Sequence, residues 1–150
     1  METLTSNGAK EVSGTIYGSF DYGFEGKGAW VGHAILAIGG NPPVKATIVD
    51  RNNSIARTPD GAISGTEMIT FSLPDGSSFD VRAKFTGIPA STPGLYRLDE
   101  TGTIANGTGA YDRVSGQVVV QGPFLFPDPA TTPGAPPWIA EIHGVIQGLK

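Results

Sequence analysis

Glu67-Met68-Ile69-Thr70-Phe71-Ser72-Leu73-Pro74-Asp75-Gly76-Ser77-Ser78-Phe79-Asp80-Val81-Arg82-Ala83-Lys84-Phe85 is the stretch from which the fold can be read. In its second half Phe79, Val81, Ala83 and Phe85 alternate with Asp80, Arg82 and Lys84, the mark of a strand with one buried face. In its first half Glu67, Ile69, Phe71 and Leu73 fall on one side by the same period of two. Between the halves, Pro74 fixes φ at the first central position of a turn and Gly76 closes it. The segment is therefore a β-hairpin.

The same reading carries outward in both directions. Glycine (22) and proline (12) divide the 150 residues into short runs rich in Val, Ile, Thr, Phe and Tyr, most of them alternating. The longest run free of both, Lys45 to Thr58, holds Thr47, Ile48 and Val49 and then Asn52, Asn53 and Ser54, which suits a strand and a turn better than a helix. Eight strands are predicted, at about 12–24, 28–38, 45–51, 64–73, 78–86, 94–104, 115–124 and 137–148, after a flexible arm at 1–11. Short links (Glu25-Gly26-Lys27, Gly39 to Pro43, Gly87 to Pro93) suit antiparallel neighbours, since parallel ones require long crossovers. Eight such strands form either a sandwich or a barrel. Closure alone removes exposed edges, so the expected fold is one all-β domain over 1–150, an eight-stranded antiparallel up-and-down barrel of calycin-like type.

Composition narrows the function. With no cysteine, the chain has no disulfide, no thiolate metal site and no cysteine nucleophile. A net charge of −4, with ten Lys and Arg spread singly, offers no footprint for nucleic acid. No leader pattern opens the sequence and no run is long and apolar enough for a membrane helix, so the expectation is a cytoplasmic protein without membrane contact. Gly107-Thr108-Gly109 lacks the third glycine and the βαβ setting of a dinucleotide fingerprint, and no Gly-x-Ser-x-Gly motif is present. Two histidines, His33 and His143, are too few to suggest a metal, and none is expected.

Two carboxylates break the alternation. Glu67 shares a face with Ile69, Phe71 and Leu73, and Glu100 with Tyr96, Leu98 and Ile104. Burial without a partner raises a carboxyl pKa toward the range a general acid or base needs at neutral pH. Alternatively, each reaches solvent at a barrel rim or pairs with an arginine such as Arg97 or Arg113. Glu141 and His143 lie together on one face of the last strand, as an acid/base pair or as solvated outer side chains; His33, between Val31 and Ile35, suits a core histidine. Tyr22, Trp30, Phe71, Phe85, Tyr96 and Trp138 are the candidate lining of a pocket for a small hydrophobic molecule, with the two tyrosine hydroxyls bonded to a ligand oxygen or, more commonly for tyrosine, to backbone. Pro123 to Pro137 (PFLFPDPATTPGAPP) holds six prolines beside Phe124, Leu125 and Phe126, which look exposed. It reads as a stiff flap over one barrel mouth or as a spacer blunting an edge or meeting another subunit.

Gly107-Thr108-Gly109-Ala110-Tyr111-Asp112-Arg113-Val114-Ser115-Gly116-Gln117-Val118, continuing to Gln121-Gly122, resembles the glycine and tyrosine segment of allene oxide cyclase and dirigent-like barrel proteins. Ile142-His143-Gly144-Val145-Ile146-Gln147-Gly148-Leu149 is similar to their last strand. The matching positions, Gly107, Gly109, Tyr111, Gly116 and Gly122, are structural, so no catalytic residue is carried over. The resemblance implies a barrel with an apolar interior, a homo-oligomer (dimer or trimer), and cyclisation, isomerisation or coupling of a hydrophobic molecule without a cofactor. Two classes remain: a cofactor-independent isomerase, cyclase or lyase, with Glu67 and Glu100 as acid or base, and a lipocalin-like carrier or sensor.

Overall fold

A computed structural model describes residues 8–132 and 134–149. Its eight strands are β1 (Lys10–Asp21), β2 (Ala29–Ile38), β3 (Val44–Arg57), β4 (Ile63–Ser72), β5 (Ser78–Pro89), β6 (Leu95–Thr108), β7 (Ser115–Leu125) and β8 (Pro137–Gln147). Each pairs antiparallel with its neighbours in sequence, and β8 returns to β1, with Lys10 opposite Ile146 and Ser19 opposite Pro137. The sheet is a closed barrel and has no edge. Among the described residues no helix is long and apolar enough to cross a membrane.

The hairpin at 67–85 has the expected chemistry. Gly76 N–H donates to Leu73 O (3.0 Å), Leu73 N–H donates to Ser77 O (2.8 Å), and Gly76 takes φ +88°, a conformation that only glycine adopts without strain. Three boundaries differ from the predicted ones. β1 starts at Lys10, inside the expected arm, because its backbone pairs with β8; residues 1–7 lie outside those described. β3 runs through Asn52-Asn53-Ser54 to Arg57, the extra residue being absorbed by a register shift opposite Thr66 and Glu67. Gly87 is part of β5 and faces inward; a Cβ there would come within 2.7 Å of Ile63 Cγ1 and 3.2 Å of Phe124 Cζ, so its bareness makes room for the Phe124 ring.

Period two puts one row of each strand inside. The barrel has a packed end and an open end. At the packed end Phe71 stacks on Phe79 (centroids 5.0 Å apart) and Phe79 meets Tyr111 (5.2 Å), with Leu36, Ile104, Val118 and Ile146 buried nearby. The glycine and tyrosine segment builds this plug. Gly107 lets the backbone of Tyr111 pass, since a Cβ there would overlap Tyr111 O, and a 3-10 turn over Gly109–Tyr111 swings the tyrosine ring under the barrel. The β1–β2, β3–β4, β5–β6 and β7–β8 connections all gather at the other end.

Candidate functional site

Three carboxyl groups occupy the middle of the barrel. Asp50 on β3 faces inward in phase with Ala46 and Ile48, opposite Trp30 and Ile69. Glu67 on β4 lies across from Ala83, and Glu100 on β6 lies between Phe85 and Val120. Their exposures are 1 %, 4 % and 1 %. Asp50 Oδ1 and both oxygens of Glu100 have no hydrogen-bond partner among the described residues. Arg97 and Arg113 are exposed on the outside and are not the expected partners; the ion pair nearest this region, Arg51 to Glu25 (2.7 Å), is an outer one.

An ionised carboxylate only accepts hydrogen bonds, whereas a protonated one also donates. Desolvation, and then the neighbouring Glu67, push the Asp50 carboxyl well above the usual carboxylate range, with Glu100 adding to the effect. Glu100 is pushed up in the same way, by desolvation first and by Glu67 second. When either of them is protonated it has an O–H to offer Glu67. That arrangement relieves repulsion that three buried anions would not survive.

Above the carboxyls lies a cavity of about 220 Å3, lined by Asp50 and Glu67 at its floor and by Phe20, Tyr22, Trp30, Phe85, Phe124 and Trp138 among its walls. Glu100 is not on the cavity surface and sits behind Glu67. The aromatic walls brace one another: Trp30 meets Phe20 (5.3 Å) and Phe124 (5.9 Å) edge to face, and Trp138 at 5.8 Å. Trp138 Nε1 is a buried donor with no partner among the described residues. The lining contains no Lys, Arg or His among the described residues, and no three His, Asp or Glu side chains group as a metal site.

Of the residues singled out from sequence, Glu67, Tyr22, Trp30, Phe85 and Trp138 line the cavity. Phe71 does not; it belongs to the plug at the packed end. Tyr96 stacks behind Phe124 (5.5 Å), and its hydroxyl accepts a hydrogen bond from Arg57 Nη1 (3.1 Å). Glu141 and His143 point outward, Glu141 accepting from the Thr15 hydroxyl (3.2 and 3.1 Å). His33 is also on the outer face, half-buried beside Tyr17 (5.7 Å), and not in the core. Asp50 was not singled out; its phase with Ala46 and Ile48 was the available signal.

The segment after β7 crosses the mouth. Phe124, which looks exposed in sequence, is buried under it, and Phe126, Pro127 and Pro129 line the cavity from above. Its ends are tied by Phe126 N–H to Gly94 O (2.8 Å) and by Phe20 N–H to Pro136 O (2.9 Å). Its middle is tied by the Tyr22 hydroxyl, which donates to Thr132 O, while the Arg57 guanidinium lies 5.0 Å over the Phe126 ring. Tyr22→Phe should release the middle and leave the ends. The Thr132 N–H, bonded to Asp128 O (2.7 Å), is expected to exchange with solvent about fivefold faster, corresponding to one hydrogen bond of about 1 kcal/mol. Amide exchange measured by NMR checks this, and unchanged protection there would mean that Tyr22 does not hold the flap.

Comparison with family models, with curated proteins and with solved structures finds no match.

Proposed function

We propose that this barrel is a cofactor-independent isomerase, cyclase or lyase that holds a small hydrophobic substrate in the cavity and moves a proton with its buried carboxyls. The observation that carries this reading is the set of three carboxyls, Asp50, Glu67 and Glu100, buried without a cation beneath aromatic walls. Such a set is expensive to keep in a core, because each charge costs several kcal/mol to desolvate. It suits acid/base chemistry, which needs a proton held loosely near neutral pH. Asp50 and Glu67 reach the cavity and are the proposed acid and base; Glu100, behind them, is a positioning residue. Trp138 Nε1–H is the donor for a substrate oxygen, since the Tyr22 hydroxyl donates to Thr132 O and Tyr96 is not on the cavity lining. The braced walls would add rate by holding the substrate in a reactive shape.

The resemblance of Gly107 to Gly122 and of the last strand to allene oxide cyclase and dirigent-like barrels supports the same class of chemistry. A cytoplasmic homo-oligomer, dimer or trimer, is part of the proposal; Tyr17, Ile35 and Ile139, exposed on the outside of β1, β2 and β8, are the apolar surface for it. The carrier reading is favoured by one feature, the flap tied at three points, which suits slow release.

A cyclic β,γ-enone separates the two. Conversion of 3-cyclohexenone, and of its methyl and phenyl derivatives, to the conjugated ketones requires one proton to be removed and one returned. The protein is expected to accelerate at least one of them, and Asp50→Asn and Glu67→Gln to slow that reaction about 10²- to 10⁴-fold. Absence of acceleration across the series, or full rates in both variants, would overturn the acid/base reading.

A further inference from the structure

We propose that the cavity selects a small apolar amine in its protonated form, with the ammonium seated against Asp50 and Glu67 and the hydrocarbon body among the aromatic walls. The inference rests on the proposed function in one respect, that this cavity is the ligand site.

Charge is the first argument. Asp50, Glu67 and Glu100 face one another from β3, β4 and β6. The residues paired with them across the sheet are Trp30, Ile69, Asn52, Ala83, Phe85 and Val120, none of them ionisable, and among the described residues no Lys, Arg or His is buried. The nearest basic group at the mouth is Arg57, and it is taken up by Tyr96 and Phe126. The interior thus has acceptors in excess and no positive group of its own. An ammonium supplies three donors and no acceptor, which is what Asp50 Oδ1, buried on the cavity floor without a partner, lacks. Among the described residues a carboxylate ligand would find one unpartnered donor in the lining, the Trp138 Nε1–H, and would have to sit over the acidic floor.

The walls are the second argument. Aromatic faces attract a cation, most strongly those of tryptophan, and Trp30 and Trp138 both border the space next to Asp50. A neutral hydrocarbon would gain from burial in this cavity, but only a cation uses the ring faces and the carboxyls together. Size is the third. Scaled from benzene, which occupies a cavity of about 150 Å3, the space takes roughly nine non-hydrogen atoms.

Burial makes Asp50 and Glu100 hold a proton more tightly than an ordinary carboxyl, and a cation seated beside Asp50 would oppose that, so its binding should be coupled to proton release. Three probes of nearly equal shape test this by titration calorimetry on the full chain at pH 7.5, in two buffers of different ionisation heat: 2-phenylethylamine, 2-phenylethanol and phenylacetate. The amine is expected to bind roughly tenfold tighter than the alcohol, with net proton release, and phenylacetate not at all. Asp50→Asn and Glu67→Gln should remove the advantage of the amine over the alcohol, with cooperative thermal melts of each variant as the check on folding. If the alcohol binds as well as the amine, or the amine binds without releasing protons, the amine proposal is wrong and the ligand cavity survives. Binding of phenylacetate as tight as the amine's would overturn the proposal as well. If none of the three binds, the site itself is wrong, and the proposed function falls with it.

Discussion

Glu100→Gln is expected to make the protein more stable at pH 8, by about 1–4 kcal/mol, the range seen when a buried charge is replaced by a neutral group of similar volume, and to raise its thermal midpoint by several degrees. Glu100 is 1 % exposed, and among the described residues no donor reaches either of its oxygens. Desolvation, followed by the charge of Glu67, pushes its pKa well above the ordinary value of 4.5. A carboxyl whose pKa is higher in the folded state binds its proton more tightly there than in the unfolded chain. Its favourable contribution is complete below about pH 4.5 and is lost as pH rises toward the folded-state pKa, at about 1.4 kcal/mol per unit. Asp50 titrates in the same sense. These two groups therefore cost the wild type stability as pH rises from mild acid. Glutamine keeps the shape, can donate to Glu67, and has no charge to desolvate. At pH 4 the two proteins should melt within a few degrees of each other, and at pH 8 they should separate. Thermal melts across that range, with Glu141→Gln as an exposed control, decide the matter. A variant less stable than the wild type by the same amount at both pH values would mean that Glu100 is not a strained acid.

Phe71→Ala should do the opposite, lowering stability by about 3–5 kcal/mol at any pH. The ring has no exposed surface and lies between Ile69, Leu73 and the face of Phe79, which in turn supports Tyr111. Removing it empties the middle of the plug, where the closed sheet gives its neighbours little freedom to collapse. Because the plug and the cavity are at different heights along the barrel axis, binding of 2-phenylethanol should change less than twofold once the variant is folded. Chemical denaturation and a binding titration on the same sample test both statements. A large change in affinity with a small change in stability would place Phe71 in the ligand site after all.

The sequence spoke clearly about which side of the sheet a residue faces and poorly about how high it sits. Phe71 and Phe85 lie on the same face by period two, yet one is in the plug and the other lines the cavity. Their heights depend on register, Phe71 opposite Phe79 and Phe85 opposite Gly65, and register is settled by pairing across strands rather than within one. Glu67 and Glu100 were legible because they interrupt apolar rows. Asp50 was not, since it stands two residues before Asn52-Asn53, where a polar residue reads as the approach to a turn; in the folded chain those asparagines accompany a bulge inside a longer strand. Phe124 misled for a related reason. Its proline neighbours suggest a surface segment, while its depth is created by the bare Gly87 on a strand it does not pair with.

The seam joining β1 to β8 starts at Lys10 opposite Ile146, on the plugged side of the barrel. Both strands that flank the chain ends therefore emerge there, as do the links at 39–43, 73–77 and 109–114. A label or a surface tether attached at the start of β1 or the end of β8 would sit on the plugged side, away from the opposite rim. The links at 22–28, 58–62, 90–94 and 126–136 can then be randomised as a library, with the seam serving as a fixed handle.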